Sequence, residues 1–260
     1  MNPNSHSALV AVQITDTHLF ASESQKLKGV NTAKSLQTVL HGVQQLQPKP
    51  DMLLLTGDLS QDETMDSYQR LYDAIAPLQI PTYWLAGNHD CFAAMQPILS
   101  QPPFHPQKSF QLGGWQFLLL PSQVPGWVGG KLSADTLTWL DRELQQCRDR
   151  PTLVAVHHPP FLVNTTWVDG STLENPEEFW QVLDKYPQVR LAIAGHIHQE
   201  FAAERQGVQY LATPSTCIQF APFKEPFSSD RQQPGFRVFY FYPDGTWHTQ
   251  VQRVRYAAVT

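Results

Sequence analysis

Met52-Leu53-Leu54-Leu55-Thr56-Gly57-Asp58 is an apolar run closed by a glycine and one carboxylate. Alone it reads as a buried strand ending in a turn, and Gly-Asp is ordinary turn chemistry. Its weight comes from four other runs that end alike. Residues 10–14 precede Asp16 and His18, residues 83–86 precede Asn88 and His89, residues 153–156 precede His157, and residues 191–194 precede His196 and His198. Turn chemistry alone does not deliver oxygen and imidazole ligands at the same end of five strands. Asp58 is therefore expected at the centre of a ligand cluster.

Working outward, residues 8–15 and 52–56 are near-continuous apolar runs of the kind that parallel sheets bury on both faces. Between them Ala33, Leu36, Val39, Leu40, Val43 and Leu46 recur at helical spacing behind a cap at Asn31 or Thr32, and Pro48 and Pro50 stop the helix. A second helix is expected from Asp62-Glu63 to about Ala76, followed by the strand 82–86. This strand–helix–strand order predicts parallel pairing with helices on the sheet faces. Further on, residues 110–120 read as a hairpin turning at 111–115, and Ser133 caps a helix running to about Arg148. A fifteen-residue loop follows His157-His158-Pro159-Pro160, then a helix over 176–185 and a β-rich tail with a hairpin at Pro243-Asp244-Gly245.

The 260 residues suit one domain, 1–260, with the polar segment 1–7 as a flexible tail. That segment has no basic stretch followed by an apolar one, and no run approaches the roughly 20 residues of a membrane span, so neither signal peptide nor membrane partner is expected. Cys91, Cys147 and Cys217 form neither a disulfide framework nor a zinc-knuckle spacing, which fits a cytoplasmic protein. A net charge of −5 without any Lys/Arg run argues against long nucleic acid, whereas a small anionic substrate remains compatible if metal supplies positive charge.

Asp16, His18, Asp58, Asn88, His157, His196 and His198 make seven oxygen and nitrogen ligands. That is too many for one tetrahedral zinc and suits two ions sharing a carboxylate. In an extended chain, residues i and i+2 point the same way, which would put both members of each pair, 16/18 and 196/198, on one side. In order and spacing, Asp16-x-His18, Gly57-Asp58, Gly87-Asn88-His89-Asp90, His157 and Gly195-His196-x-His198 resemble the motif set of the calcineurin-like metallophosphoesterases. Trp167-Val168-Asp169, Leu173-Glu174-Asn175, the run 214–220 and Pro234-Gly235-Phe236-Arg237 are similar to the branch called class III cyclic-nucleotide phosphodiesterases.

The resemblance implies an α/β fold, a four-layered sandwich of two packed mixed β-sheets flanked by helices, with the β-rich tail forming much of the second sheet. It implies two divalent or trivalent metal ions (Fe, Mn or Zn). Asp16, His18, Asp58 and His198 would hold one, Asp58, Asn88, His157 and His196 the other. His89, Asp58 and Asn88 would be the catalytic residues, with His89 directed at the phosphate. The implied reaction is hydrolysis of a small phosphodiester, 3′,5′-cyclic AMP to 5′-AMP, by in-line attack of a hydroxide held between the two ions. A glycerophosphodiesterase, phosphomonoesterase or nuclease would use the same ligands. His158 is the alternative to His157, which the family position favours. Asp62 or Asp90 is a candidate to orient a histidine from outside. Trp127, Trp167 and Phe220 could stack on a nucleobase or simply pack, and Lys131 and Arg237 could meet a phosphate or form surface ion pairs. Cys91 reads as core filler, and 167–175 is a candidate homodimer contact.

Overall fold

The structure, a computed structural model, describes residues 8–257; the segment 1–7 lies outside them. Twelve strands build two six-stranded sheets. They are β1 (Leu9–Ile14), β2 (Met52–Thr56), β3 (Thr82–Leu85), β4 (Phe104–His105), β5 (Ser109–Leu112), β6 (Trp115–Leu120), β7 (Thr152–Val156), β8 (Val189–Ala194), β9 (Phe201–Arg205), β10 (Val208–Ala212), β11 (Gly235–Phe241) and β12 (Trp247–Arg253). The first sheet runs β12-β11-β1-β2-β3-β4 and the second β9-β10-β8-β7-β6-β5. Both are mixed: β1 is parallel to β2 and antiparallel to β11, and β8 is parallel to both β7 and β10 while β9 returns antiparallel.

Strand alternation sorts the apolar residues into layers. Met52 and Leu54 of β2 share a buried cluster with Phe117, Leu153, Leu191 and Phe239, between the sheets. Their neighbours Leu53 and Leu55 turn the other way, onto Leu36, Val39 and Val43 of α1 (Thr32–Gln44) and Leu71 of α2 (Met65–Ile75). On the second sheet Val154 and Val156 face Leu140 and Leu144 of α3 (Ala134–Gln146) and Phe179 of α4 (Pro176–Leu183). The result is the four-layered sandwich, each fully buried leucine adding about 1.5–3 kcal/mol relative to exposure.

Asn31 and Ser133 cap α1 and α3 as expected, accepting from Lys34 N and Thr136 N. Two expectations need correction. The second helix starts at Met65 behind Thr64, because Asp62 spends its carboxylate on Ala21 N (2.7 Å) and Thr64 Oγ1 (2.8 Å) and so ties down the loop after β1. The tail is also divided between the sheets. β9 and β10 extend the second, but the hairpin β11–β12 pairs with β1 in the first. β11 is apolar on both faces, with Phe236 and Val238 on the α1 side and Phe239 and Phe241 between the sheets, so it suits an inner position. Among the described residues no helix is long and apolar enough to cross a membrane.

Candidate metal centre

Parallel register aligns the strand ends. Ile14 sits opposite Leu55 and Thr56 opposite Leu85, while Leu120 pairs with Val156 and Ala155 with Ile193. The turns after β1, β2, β3, β7 and β8 thus open at one edge of the sandwich. Just beneath them Gln13, fully buried, crosses between the sheets. Its Nε2 donates to Thr56 Oγ1 (2.9 Å) and Ala194 O (3.0 Å), and its Oε1 accepts from Thr213 Oγ1 (2.6 Å). Arg237 Nε then donates to Thr213 Oγ1 (3.2 Å) and its Nη2 to Ala212 O (3.0 Å). Arg237 is therefore an internal brace, which burial pulls down to about 10 against the opposing pull of the Glu200 charge.

The paired residues are not extended. Asp16, His18, Asp58, His196 and His198 all have positive φ, between 45° and 69°, a left-handed conformation costing roughly 1–2 kcal/mol for each non-glycine residue. The extended-chain premise therefore fails at both pairs, although its outcome holds at 16/18. His18 and Asp16 do face one centre, whereas His196 and His198 diverge to different partners. The turns are clasped by backbone bonds from Asp16 N to Gly57 O (3.0 Å) and from His18 N to Asp58 O (2.9 Å). Close approach explains the motif glycines: a Cβ on Gly87 would lie 2.2 Å from Asp58 Oδ1, and one on Gly57 2.4 Å from His157 Nδ1.

Two groups of donors result, with Asp58 between them. Asp58 Oδ2 lies 3.7 Å from His18 Nε2, which is 3.1 Å from His198 Nε2, itself 3.3 Å from Asp16 Oδ1. Asp58 Oδ1 lies 3.3 Å from His157 Nε2, and His196 Nδ1 is 3.0 Å from Asn88 Oδ1. Asp16 is held by Thr15 Oγ1 (2.6 Å) and by His196 N. His89 is half-buried; its ring edge meets His18 at 5.2 Å between centroids, its backbone N donates to Asp58 Oδ1 (2.9 Å), and its Nδ1 lies 3.3 Å from Gln61 Nε2.

The ring nitrogens test whether cations fit. His157 Nδ1 lies 2.7 Å from Thr56 O, and His198 Nδ1 2.8 Å from Ile218 O. A carbonyl only accepts, so both rings carry a proton on Nδ1 and the neutral rings turn Nε2 lone pairs toward Asp58 Oδ1 and Asp16 Oδ1. Buried acceptors facing acceptors are what a cation reconciles, and His157 Nε2 and His18 Nδ1 have no hydrogen-bond partner. Protons offset part of this charge in the protein alone. Burial pulls His157 down, but Asp58 and Asp16 outweigh it and hold it up at about 9. Burial would raise Asp58, yet His157 and His18 keep it well below the usual carboxylate range. Burial, with His157 alongside, drives His196 down to about 3. The donor set of imidazole, carboxylate and amide oxygen suits first-row transition ions.

The remaining candidates separate clearly. His158 Nδ1 is 2.8 Å from Ser122 Oγ and its Nε2 3.1 Å from Val128 O, so both its ring nitrogens have partners, although one of them lies within 4.8 Å of ring nitrogens of His157 and His196. Phe220 lies flat on His198, with centroids 3.9 Å apart and 5° between planes, and Trp167 packs edge-on against Phe220. Trp127 and Lys131 are exposed. In the segment 167–175 Val168, Leu173 and Asn175 are buried within the chain itself. Cys91 is half-buried at the start of a short helical turn, Phe92–Met95.

Asp90 orients no histidine. Its carboxylate accepts from Leu59 N (3.1 Å), Ser60 N (3.0 Å), Gly87 N (2.9 Å) and Tyr68 Oη (3.1 Å), locking the Asp58 turn to the Asn88 turn. Burial and the Asp58 charge push it up to about 7. Asp90→Ala strands those donors, and a loss of about 3–5 kcal/mol in urea unfolding is expected.

Comparison with known proteins accords with this geometry. The family model described as calcineurin-like phosphoesterase matches residues 9–200. A protein of Nostoc sp. named 3′,5′-cyclic-nucleotide phosphodiesterase is 51% identical over 94% of this chain and 92% of its own. The Escherichia coli K12 protein named 3′,5′-cyclic adenosine monophosphate phosphodiesterase CpdA is 43% identical over 94% of this chain and 89% of its own. A dimetal phosphatase from Danio rerio shares the fold at 16% identity, with a TM-score of 0.65 over 91% of this chain and 93% of that one. Membership implies two metal ions, for which the clustered Asp and His side chains are suited. The chain belongs to the calcineurin-like phosphoesterases.

Proposed function

We propose that this protein is a metal-dependent phosphodiesterase that hydrolyses 3′,5′-cyclic AMP to 5′-AMP, working in the cytoplasm as one domain on a small-molecule substrate. Asp16, His18, Asp58 and His198 hold one ion and Asp58, Asn88, His157 and His196 the other; iron, manganese or zinc suits these donors. The observation that carries the reading is the convergence of all seven ligands and His89 on one edge of the sandwich, with Asp58 turning one oxygen to each group. The choice of cyclic AMP draws on the names of the relatives, which extend over nearly the whole chain.

When bound, the two ions supply Lewis acidity at the phosphoryl oxygens and an activated water for attack on phosphorus. The chain does the rest. Asp58, held by the His89 backbone N–H, sets the spacing of the two halves. Proton donation needs the imidazolium form of His89: the Gln61 amide, 3.3 Å from Nδ1, then accepts from Nδ1–H through its oxygen, and the second proton stands on Nε2. As water oxygen bonds to phosphorus the P–O3′ bond breaks, the His89 Nε2 proton goes to O3′ and yields the ribose hydroxyl, and the proton the water gives up passes to solvent, from which His89 is reprotonated.

Purified protein loaded separately with Mn, Fe or Zn should turn over cyclic AMP faster than cyclic GMP, a glycerophosphodiester or a phosphomonoester. A monoester that outran every diester would overturn the reading.

A further inference from the structure

A partner at the outer ring nitrogen fixes the tautomer and orientation of a histidine ligand, and three of the four proposed here have one, His18 Nδ1 being without. For His157 and His198 that partner is a backbone carbonyl, Thr56 O and Ile218 O, which no substitution removes. His196 differs. Its outer nitrogen, Nε2, lies 3.0 Å from Ser171 Oγ, a side chain brought in by the loop between β7 and α4. We propose that Ser171 is a positioning residue, whose hydroxyl oxygen accepts the His196 Nε2 proton and so turns the Nδ1 lone pair toward the Asn88 side of the centre. The proposal rests on the dinuclear reading above.

The direction of the hydrogen bond follows from a second contact. Ser171 Oγ is also 2.9 Å from Val168 O, and a carbonyl only accepts, so the single hydroxyl proton goes there. The oxygen then faces His196 Nε2 with lone pairs, and the neutral imidazole must present N–H. His196 Nδ1 is left as an acceptor 3.0 Å from Asn88 Oδ1, another acceptor if the amide is oriented this way, and a cation on that side satisfies both.

The loop holds the hydroxyl firmly enough for the role. Ser171 N donates to Val168 O, closing the short helical turn Thr166–Asp169. Asp169 accepts from Val163 N (2.7 Å) and Thr165 N (2.9 Å), and buried Val168 and Leu173 flank the serine. A loop side chain, rather than a sheet carbonyl, thereby controls one half of the centre, and the conformation of 163–173 is coupled to metal affinity.

Calorimetric titration of metal-free protein with Mn2+ tests this on wild type, Ser171→Ala and Ser171→Thr, with His196 side-chain 15N shifts recorded on the same metal-free samples. Wild type should take up two ions and show an Nε2-protonated His196. Ser171→Ala should bind one ion as before and the other about 10- to 100-fold more weakly, with His196 losing its single tautomer, and Ser171→Thr should restore both. If Ser171→Ala kept both affinities, or Ser171→Thr were as weak as Ser171→Ala, the positioning role would be overturned while the dinuclear centre stood. Wild type taking up fewer than two ions would overturn the dinuclear reading, and this inference with it.

Discussion

Replacing Asp58 by alanine is expected to remove both metal ions and, with them, turnover, lowering kcat/KM by at least about a thousandfold, the scale of several kcal/mol of transition-state stabilisation that a metal pair supplies. Asp58 turns one carboxylate oxygen to each of the two groups. Asp58 Oδ2 faces His18 at 3.7 Å and Oδ1 faces His157 at 3.3 Å. Its loss leaves each group one oxygen short and uncovers the His157 imidazole, which draws on that carboxylate for its charge. The strands beneath keep their packing, since Leu53, Leu54 and Leu55 are buried by the helix layer and the sheet interface, independent of the carboxylate. Metal content per chain and kcat/KM should fall together while the far-ultraviolet circular dichroism stays unchanged. An Asp58→Ala protein that kept two ions and its activity would remove Asp58 from the centre of the site.

Much of this arrangement is legible before any coordinates because buried parallel strands write themselves as unbroken apolar runs. The residue after such a run is then fixed at a sheet edge. Met52 to Thr56 is such a run, and the five endings converge because parallel register leaves them little alternative. The hand of the turns is not legible in that way. Left-handed backbone at Asp16, His18, Asp58, His196 and His198 is held by the surrounding clasp, and the raised tolerance of Asp and His for that region is too weak a signal to announce it. The choice between His157 and His158 depends on which ring nitrogens have spent their protons on distant carbonyls and hydroxyls, a matter of three-dimensional contact. Two braces did leave a signal. Gln13 in β1 and Arg237 in β11 are polar residues inside otherwise apolar strands, where a buried polar group must have a partner. They sit opposite each other in the register. Ser171 left none, since a serine in a long loop has too many ordinary uses.

The second large effect is expected at His89, and it should look different from that at Asp58. The ring is not needed to hold the ligand groups together: the contact that His89 makes with Asp58 Oδ1 comes from its backbone N–H, which any non-proline residue retains. His89→Ala should therefore keep two ions per chain and a nearly unchanged KM, while kcat for cyclic AMP falls about 10²- to 10⁴-fold, the usual worth of a positioned general acid. The leaving group separates the two roles open to this imidazole. A ribose alkoxide is a poor leaving group that needs a proton as the P–O3′ bond breaks, whereas p-nitrophenolate departs without one. If His89 supplies that proton from Nε2, the loss in His89→Ala should shrink sharply when bis-p-nitrophenyl phosphate replaces cyclic AMP under the same metal loading. If it instead stabilises charge on the non-bridging phosphoryl oxygens, the same deficit should appear with both substrates, because those oxygens develop charge whichever group departs. Equal losses on the two substrates would therefore exclude proton donation by His89 and leave it an electrostatic role alone.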